Sequence, residues 1–419
     1  MRILLLGASG LLGHNVLKQL LQFNHSVVVL IRHSNAIHLA TSHPYETHIG
    51  SLLDYHTLAK AAAGCDAIIN CAGTTDMALL HYEDYLPVNS HLCDHLLQLS
   101  RDLNIRTLIH VSTANTIGYG TPQSLADESV PMQPPFCQSF YALSKQEGEQ
   151  KILQAATLHP DNHFIVVNPG FMVGAYDIKP SSGKLLITGY RKPLMAVPKG
   201  GKSFISASAA ATAICNAIYH GINGQRYLLT GKNMTLKAFY ELQAQIMGYQ
   251  QKCLTLPNWL VHFAGKLGDL LRTLGIKTQL STRNVNQLLV CEYYSAQKAQ
   301  SELLMTGYRK PLMAVPKGGK SFISASAAAT AICNAIYHGI NGQRYLLTGE
   351  NMTLKAFYEL QAQTMCYRQK CLTLPDWLVR FAGKLGDLLR TLGIKTQLST
   401  RNVNQLLVCE YYSAQKAHT

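Results

Sequence analysis

The feature that most constrains the fold is an apolar run followed by three glycines at the start of the sequence. Arg2–Leu6 is a short apolar segment, typical of a strand buried on both faces of a parallel sheet. Gly7, Gly10 and Gly13 follow at three-residue spacing, and helical periodicity continues from Asn15. Glycines allow a sharp turn and a close approach to phosphate, and the free N–H groups of the next helix face an anion. The stretch therefore predicts a strand, a phosphate-binding turn and a helix.

Length and composition limit the classes of protein that fit. The 419 residues suggest two or three domains, and 47% apolar residues are ample for a sizeable core. No apolar run reaches the roughly 18 residues of a membrane span, and the first residues lack a signal-peptide pattern. We therefore expect a cytoplasmic protein without a membrane span. The 11 cysteines include no C-x-x-C pair and the 17 histidines no metal-binding spacing, so we expect reduced thiols and no metal.

Further apolar segments along the first half of the chain predict more strands, which alternate with helices. They are His25–Arg32, the region that ends in 49–54, Asp66–Ala72 and Thr107–Ser112. In sheets of this kind an acidic residue after the second strand accepts hydrogen bonds from the ribose 2′-OH of NAD. Arg32 and Ser34 stand there instead, and these side chains suit a 2′-phosphate that a carboxylate would repel. The sequence thus favours NADP(H) as cofactor, with NAD(H) as the alternative.

A Tyr-x-x-x-Lys pair supplies the candidate catalytic groups. Tyr141 and Lys145 are four residues apart in a predicted helix, so their side chains share one face. A neighbouring ammonium stabilises tyrosinate and is expected to lower the phenol pKa from its usual value of about 10. Such a phenol suits proton exchange with a carbonyl/alcohol pair. The polar patch Ser112–Thr116 ends a predicted strand, at the sheet edge where ligands bind.

Over residues 1–305 the sequence resembles the extended short-chain dehydrogenase/reductase family, which includes the NAD-dependent epimerase/dehydratases. The resemblance rests on Gly7-x-x-Gly10-x-x-Gly13, Ala72-Gly73, Val111-Ser112-Thr113, Tyr141-x-x-x-Lys145 and Asn168-Pro169-Gly170. It implies that Tyr141 is the catalytic acid/base and that Lys145 holds the nicotinamide ribose. It also implies that Thr113 or Ser112 polarises the substrate oxygen, and the family's usual pattern favours Thr113.

The resemblance also implies a set of cofactor contacts. They are Gly7, Ser9, Gly10, Leu11, Leu12, Gly13, Arg32, Ser51, Leu52, Ala72, Gly73, Asn89, Tyr141, Lys145, Asn168 and Pro169. Ser51 stands where the family often has an Asp near the adenine. The loop at 168–184 lacks the arginines associated with nucleotide-sugar epimerases. It looks more like the branch that contains 3β-hydroxysteroid dehydrogenases and dihydroflavonol reductases.

The second half of the sequence contains a long tandem repeat. Residues 188–299 recur at 306–417 with six differences. The two copies carry net charges of +10 and +9, whereas residues 1–187 carry −4. The net charge of +14 therefore arises because one basic segment occurs twice. This segment lacks the interleaved aromatic residues of a nucleic-acid-binding stripe. We expect no nucleic-acid partner.

These observations predict three α/β segments. We expect an NAD(P)-binding Rossmann domain with a doubly wound parallel sheet at 1–187, a small substrate-binding subdomain at 188–305 and its partial duplicate at 306–419. The duplicate has neither a glycine turn nor a Tyr-x-x-x-Lys pair, so it forms no second active site. We predict that it is a poorly anchored appendage or mediates swapped dimers, and a homodimer is one expected assembly.

One helix of the repeated segment has an apolar stripe. Residues 258–274 place six apolar side chains at helical spacing: Trp259, Phe263, Leu267, Leu270, Leu271 and Leu274. We expect this stripe to face the core of the subdomain, because every packed helix has such a stripe. The alternative is a helix that lies on a membrane surface.

The predicted activity is hydride transfer between a nicotinamide cofactor and a small secondary alcohol or ketone, with Tyr141 as the proton donor or acceptor. One alternative is a nucleotide-sugar epimerase or dehydratase, in which the cofactor is oxidised and reduced within one cycle. The other is a non-catalytic protein that senses NADP(H). The intact pair of Tyr141 and Lys145 favours the enzyme.

Overall fold

The computed structural model divides the chain into two units, Met1–Thr306 and Gly307–Thr419. The residues that it describes are 1–33, 36–37, 44–178, 180–274, 276, 278–304, 312–315, 319–322, 350–356, 359, 370–391 and 399–410. Among them no helix has the length and hydropathy needed to cross a bilayer.

Twelve strands are described in the first unit. They are β1 Arg2–Leu6, β2 Ser26–Ile31, β3 Glu46–Ile49, β4 Ala67–Asn70, β5 Thr107–Val111, β6 His163–Pro169, β7 Phe171–Val173, β8 Leu194–Val197, β9 Gly201–Ser206, β10 Arg226–Leu229, β11 Lys232–Thr235 and β12 Lys252–Thr255.

Seven of these strands form one parallel sheet, in the order β10-β6-β5-β4-β1-β2-β3. Strand β1 pairs with β2 on one side and with β4 on the other, so the strand order reverses beside β1. Ligands bind at such a switch point, at the carboxyl ends of the strands. The predicted doubly wound α/β fold is confirmed, and the glycine turn lies at the switch point.

The α-helices described in the first unit are α1 Leu11–Gln22, α2 Tyr55–Ala62, α3 Leu92–Asp102, α4 Phe140–Leu158, α5 Lys184–Gly189, α6 Ala207–His220, α7 Leu236–Ile246, α8 Asn258–Thr273, α9 Thr282–Asn286 and α10 Gln297–Ala299. Of these, α1 and α6 pack on one face of the large sheet, and α2, α3 and α4 pack on the other. Successive residues of β1 point to opposite faces. Ile3 and Leu5 therefore join α1 and α6 in one apolar cluster, while Leu4 and Leu6 join α2 and α3 in the other.

The first unit differs from the predicted boundary at residue 187. Helix α6 packs against α1, and β10 pairs with β6 as the edge strand of the large sheet. Both elements were assigned to the substrate subdomain from the sequence. Smaller sheets, β11-β9-β7 and β12-β8, complete this part of the chain. Burial on the sheet explains why α6 is largely apolar, since eight of its side chains are buried.

The expected core-facing orientation of α8 is wrong. Trp259 and Phe263 are 68% and 60% exposed, and Leu267, Leu270 and Leu274 are also exposed. The packed face of α8 consists instead of Val261, Gly265 and Gly268. A Cβ atom at Gly268 would lie 2.3 Å from the carbonyl oxygen of Leu280, so the small residues allow close packing and the large ones are left outside.

The second unit repeats local pairings of the first. Its described elements are strands β13 Leu312–Val315, β14 Gly319–Phe322, β15 Glu350–Thr353, β16 Lys370–Thr373 and β17 Cys409–Glu410, and helices α11 Asp376–Thr391 and α12 Thr400–Leu407. Leu312 pairs with Lys370 as Leu194 pairs with Lys252. The predicted anchoring and swapping of this unit stay predictions.

Candidate active site

The glycine turn is a tight main-chain structure that excludes side chains. Gly7 has a φ of +76°, and a Cβ atom there would lie 2.6 Å from the main chain of Ala72 at the end of β4. A Cβ atom at Gly13 would lie 2.1 Å from the Gly7 carbonyl oxygen. The Gly10 N–H donates to that oxygen at 3.0 Å, and Ser9 and Gly10 are exposed. No side chain caps α1, so its first N–H groups suit a pyrophosphate.

The other residues at this turn have different surroundings. The side chains of Leu11 and Leu12 are buried, so any contact that they make with a cofactor involves the main chain. Arg32 is exposed directly after β2. Ser51, also exposed, follows β3, and its hydroxyl accepts a hydrogen bond from the Leu53 N–H at 3.2 Å. Leu52 beside it is half-buried, and Ser34 lies outside the described residues.

The loop after β4 is held by buried amides. The Asn70 side chain accepts from the Ala72 N–H at 3.1 Å. Asn89 accepts from the Thr74 N–H at 2.8 Å and donates to the Thr74 carbonyl at 3.0 Å, so it positions this loop. A Cβ atom at Gly73 would lie 3.5 Å from Asn89 Oδ1 and 3.8 Å from Lys145 Nζ. Gly73 therefore leaves space between the loop and the ammonium.

Tyr141 lies in the first turn of α4, where Ser139 caps the helix by accepting from the Ala142 N–H. Burial raises the pKa of the Tyr141 phenol, and the neighbouring Thr113 side chain partly offsets this rise. The expected lowering of the Tyr141 pKa by Lys145 is therefore wrong for this structure, because desolvation disfavours tyrosinate. The phenol is protonated at neutral pH.

Lys145 is a buried ammonium next to the strand ends. It is 2% exposed, and its Nζ donates to the Val111 carbonyl at 2.7 Å. Burial lowers its pKa, while the neighbouring Cys93, Glu149 and Cys71 act in the opposite direction. The spacing from Tyr141 thus places both functional groups at the end of β5.

The two adjacent hydroxyls at the end of β5 differ in their contacts. The Thr113 side chain lies beside the Tyr141 phenol, and its hydroxyl accepts from the Asn115 N–H at 3.3 Å. The Ser112 hydroxyl is buried and has no hydrogen-bond partner within the described structure. The Thr113 hydroxyl therefore lies next to the Tyr141 phenol. The adjacent Ser112 hydroxyl is a buried donor that bonds none of the described residues.

A buried polar network behind these groups was missed from the sequence. Glu149 accepts from the Thr116 hydroxyl and from the Asn168 amide, both at 2.8 Å. Its other oxygen pairs with Arg226 of β10 at 3.1 Å. Asn168 also donates to the Thr113 carbonyl at 3.1 Å. The spacing of Glu149 four residues after Lys145 places it on the same helical face and was the available signal.

Pro169 is buried at the end of β6, next to Asn168. The loop that follows β7 contacts α1, a contact that the sequence did not predict. His14 stacks on Tyr176 with ring centroids 5.5 Å apart, and the Asn15 amide donates to the Ala175 carbonyl at 3.0 Å. The loop is thereby fixed beside the glycine turn.

The sequence of residues 3–208 matches the family model described as the NAD dependent epimerase/dehydratase family. This part of the chain belongs to that family. The chain is accordingly an enzyme, an NAD(P)-binding oxidoreductase of the extended short-chain dehydrogenase/reductase type. The resemblance noted from the motifs is confirmed.

Three comparisons illustrate the epimerase/dehydratase family relationship. A 4-hydroxy-2-methyl-3-oxo-4-farnesyl-3,4-dihydroquinoline-1-oxide ketoreductase from Stigmatella aurantiaca is 29% identical over 64% of this chain and 80% of its own. Sterol demethylase protein B from Methylococcus capsulatus is 25% identical over 64% and 81%. The crystal structure of Thermus thermophilus UDP-glucose 4-epimerase in complex with NAD covers 72% of this chain and 92% of its own at 17% identity, with a TM-score of 0.56.

The residues present fit the family's cofactor. The glycine turn excludes a Cβ atom at Gly7 and Gly13, the α1 N–H groups have no side-chain cap, and Gly73 is open beside Lys145. Among the described residues no group of three or more His, Cys, Asp or Glu side chains forms a metal site, and the described cysteines are free thiols.

Proposed function

We propose that this enzyme interconverts a secondary alcohol and a ketone with NADP(H), and that Tyr141 is its general acid/base. The proximity of the Tyr141 phenol to the Thr113 side chain carries the proposal, because it places a proton donor beside a second hydroxyl at the end of β5. That point lies beside the ammonium of Lys145. A carbonyl oxygen bound there receives two hydrogen bonds, which stabilise negative charge as it develops.

The proton path follows from the protonation state of Tyr141. Its raised pKa keeps the phenol protonated at neutral pH, so it donates to the oxygen of a ketone. Thr113 holds the same oxygen, while Lys145 supplies positive charge behind the phenol. Gly7, Gly10 and Gly13 would hold the pyrophosphate of the cofactor, and Lys145 and Gly73 would hold its ribose. The bound nicotinamide cofactor supplies or accepts the hydride.

An apolar substrate suits the surroundings of the site. The names of two relatives, a ketoreductase acting on a farnesylated quinoline oxide and a sterol demethylase protein, point to lipophilic compounds. The half-buried segment 77–80, Met-Ala-Leu-Leu, follows the loop that Asn89 positions. We infer a lipophilic ketone or alcohol and a cytoplasmic location, in line with the free thiols.

A cofactor and substrate panel tests this function. We expect the purified chain to oxidise NADPH in the presence of apolar ketones, with stoichiometric alcohol formation. A nucleotide-sugar epimerase would instead retain NAD tightly and show no net cofactor consumption. Either the absence of turnover with every ketone or epimerisation without net cofactor use would reject the proposal.

Arg32→Ala tests the preference for NADP(H). Arg32 is exposed after β2, where it suits a charge-assisted hydrogen bond to the 2′-phosphate. We expect the variant to bind NADPH about 10- to 100-fold more weakly, which corresponds to about 1.5–3 kcal/mol. NADH affinity should stay unchanged, and Lys60→Ala on α2 is the control for loss of a surface cation. Equal losses for both cofactors would contradict the proposed role.

Two alanine substitutions distinguish the effect of the glycine turn on stability from its effect on phosphate binding. Gly10 has ordinary backbone angles, and a Cβ atom there meets its nearest neighbour at 3.5 Å. Gly10→Ala should therefore keep its stability within about 0.5 kcal/mol but weaken NADPH binding about tenfold by obstructing the pyrophosphate. Gly13→Ala places a Cβ atom 2.1 Å from the Gly7 carbonyl and should cost about 2 kcal/mol or more in urea unfolding. Unchanged NADPH affinity in Gly10→Ala would contradict this placement.

A further inference from the structure

The exposed face of α8 has no role in the reaction. The α8 stripe consists of Trp259, Phe263, Leu267, Leu270 and Leu274, each between 47% and 68% exposed. The opposite face is fixed against α9 and its preceding loop by Gly265 and Gly268, where a Cβ atom would overlap Val285 and Leu280. Because this side packs closely, α8 cannot rotate about its axis to bury the stripe.

The second unit presents the same pattern. The α11 stripe consists of Trp377, Phe381, Leu385 and Leu388, each between 45% and 68% exposed. Its packed face again includes Val379 and Gly383. Both copies thus leave a row of large apolar side chains in contact with solvent, which monomeric proteins rarely do without a binding partner.

The charges around the stripes indicate which partner fits. Lys266 lies about 20° from Trp259 around the helix, at the edge of the α8 stripe, and it is exposed. The single acidic residue of α8, Asp269, instead accepts from the Thr282 N–H on the packed side. In α11, Lys384 repeats the position of Lys266, and Arg380 replaces His262 on the same flank.

We propose that the α8 and α11 stripes bind the surface of an anionic phospholipid bilayer. Helices that lie in the bilayer interface combine an apolar face of Trp, Phe and Leu with flanking Lys and Arg side chains, as both stripes do. The repeated segments carry net charges of +10 and +9, which attract anionic headgroups and repel a second copy of the same segment. The lysine stems extend along the apolar face while their ammonium groups reach the headgroups.

The α8 stripe is also connected to the candidate active site. Arg272 of α8 and Asn284 of α9 both donate to the Met77 carbonyl, at 2.8 and 2.9 Å. Met77 follows the loop that Asn89 positions beside Lys145. Attachment through α8 therefore places this loop near the bilayer, where a lipophilic substrate is concentrated. This last step rests on the proposed function, whereas membrane binding does not.

Tryptophan fluorescence of the full chain tests the proposal directly. The chain has two tryptophans, one on each stripe, so Trp377→Phe and Trp259→Phe isolate the two signals. Vesicles of equal parts phosphatidylcholine and phosphatidylserine should shift the emission of each variant to shorter wavelength. Lipids brominated on the acyl chain near the headgroup should quench it. Phosphatidylcholine vesicles should produce a much smaller shift, and high salt should weaken binding to the anionic vesicles.

Substitutions that keep both tryptophans provide the matched comparison. The double variant Phe263→Gln/Phe381→Gln should bind the anionic vesicles about tenfold more weakly, because interfacial binding scales with buried apolar area. Leu158→Gln removes an equally exposed apolar side chain at the end of α4 and should bind normally. The readout is independent of catalysis, so an inactive enzyme that binds vesicles rejects only the proposed function.

Three results would overturn the membrane proposal. The first is an unchanged emission spectrum with anionic vesicles. The second is equal binding to phosphatidylcholine alone, which would contradict the argument from charge. The third is a wavelength shift that develops without vesicles as protein concentration rises, which would assign the stripes to contacts between copies of the chain.

Discussion

Tyr141→Phe is expected to reduce turnover of a ketone by NADPH at least about 1,000-fold, within the range of a lost general acid. The phenol at the end of β5 is the proposed proton donor, and phenylalanine keeps its ring without the hydroxyl. NADPH affinity and the urea midpoint should stay close to those of the unmodified enzyme, since the substitution removes one oxygen from a half-buried side chain. Steady-state kinetics and cofactor titration measure the two effects separately.

The control for Tyr141→Phe is Tyr55→Phe, which removes an exposed hydrogen bond from the first residue of α2 to Asp102 at the end of α3. This variant should keep full activity. The raised pKa of Tyr141 adds a second readout. Alcohol oxidation needs the deprotonated phenol, so its rate should rise about tenfold per pH unit below that pKa. Normal turnover in Tyr141→Phe would reject the mechanism.

Arg226→Met is expected to destabilise the first unit by about 3 kcal/mol at neutral pH. The substitution removes the cation that pairs with Glu149, a carboxylate whose side chain is 2% exposed. Without Arg226 the buried carboxylate keeps only the hydrogen bonds from Thr116 and Asn168, and no cation balances its charge. Urea unfolding at neutral pH measures the deficit.

Two comparisons sharpen the Arg226 experiment. Lys151→Met breaks an exposed pair with Asp94 and should cost no more than about 1 kcal/mol. The double variant Arg226→Met/Glu149→Gln removes the unpaired charge and should recover part of the stability. A loss in Arg226→Met no larger than that in Lys151→Met would mean that the buried Glu149 carboxylate does not depend on its cationic partner.

The parts of the site that the sequence predicted are local. The glycine turn follows directly from main-chain geometry, since Gly7 has a positive φ and Gly13 touches the Gly7 carbonyl. Tyr141 and Lys145 follow from helical spacing, and the strand ends follow from short apolar runs. Each depends on residues within a few positions of one another, so the sequence pattern contains the necessary information.

The sequence could not predict features set by distant residues. Glu149, Arg226 and Asn168 come together because β10 pairs with β6, and because α4, which carries Glu149, packs against β6. The pKa of Tyr141 moves upward because burial outweighs the opposing effect of the Thr113 side chain, and burial is a property of the folded environment.

By itself, the sequence determined a doubly wound α/β fold, one glycine turn and one Tyr-x-x-x-Lys pair. The periodicity of the apolar residues specifies the fold, and the spacing of the motif residues specifies the turn and the pair. Only the tertiary structure decided which face of α8 packs. Both the apolar stripe and the face of small residues could be buried. The spacing of the apolar residues does not show which of the two faces packs against the protein. Gly265 and Gly268 allow α9 and the loop before it to approach more closely than the large side chains would. Trp259 and its neighbours are therefore left exposed.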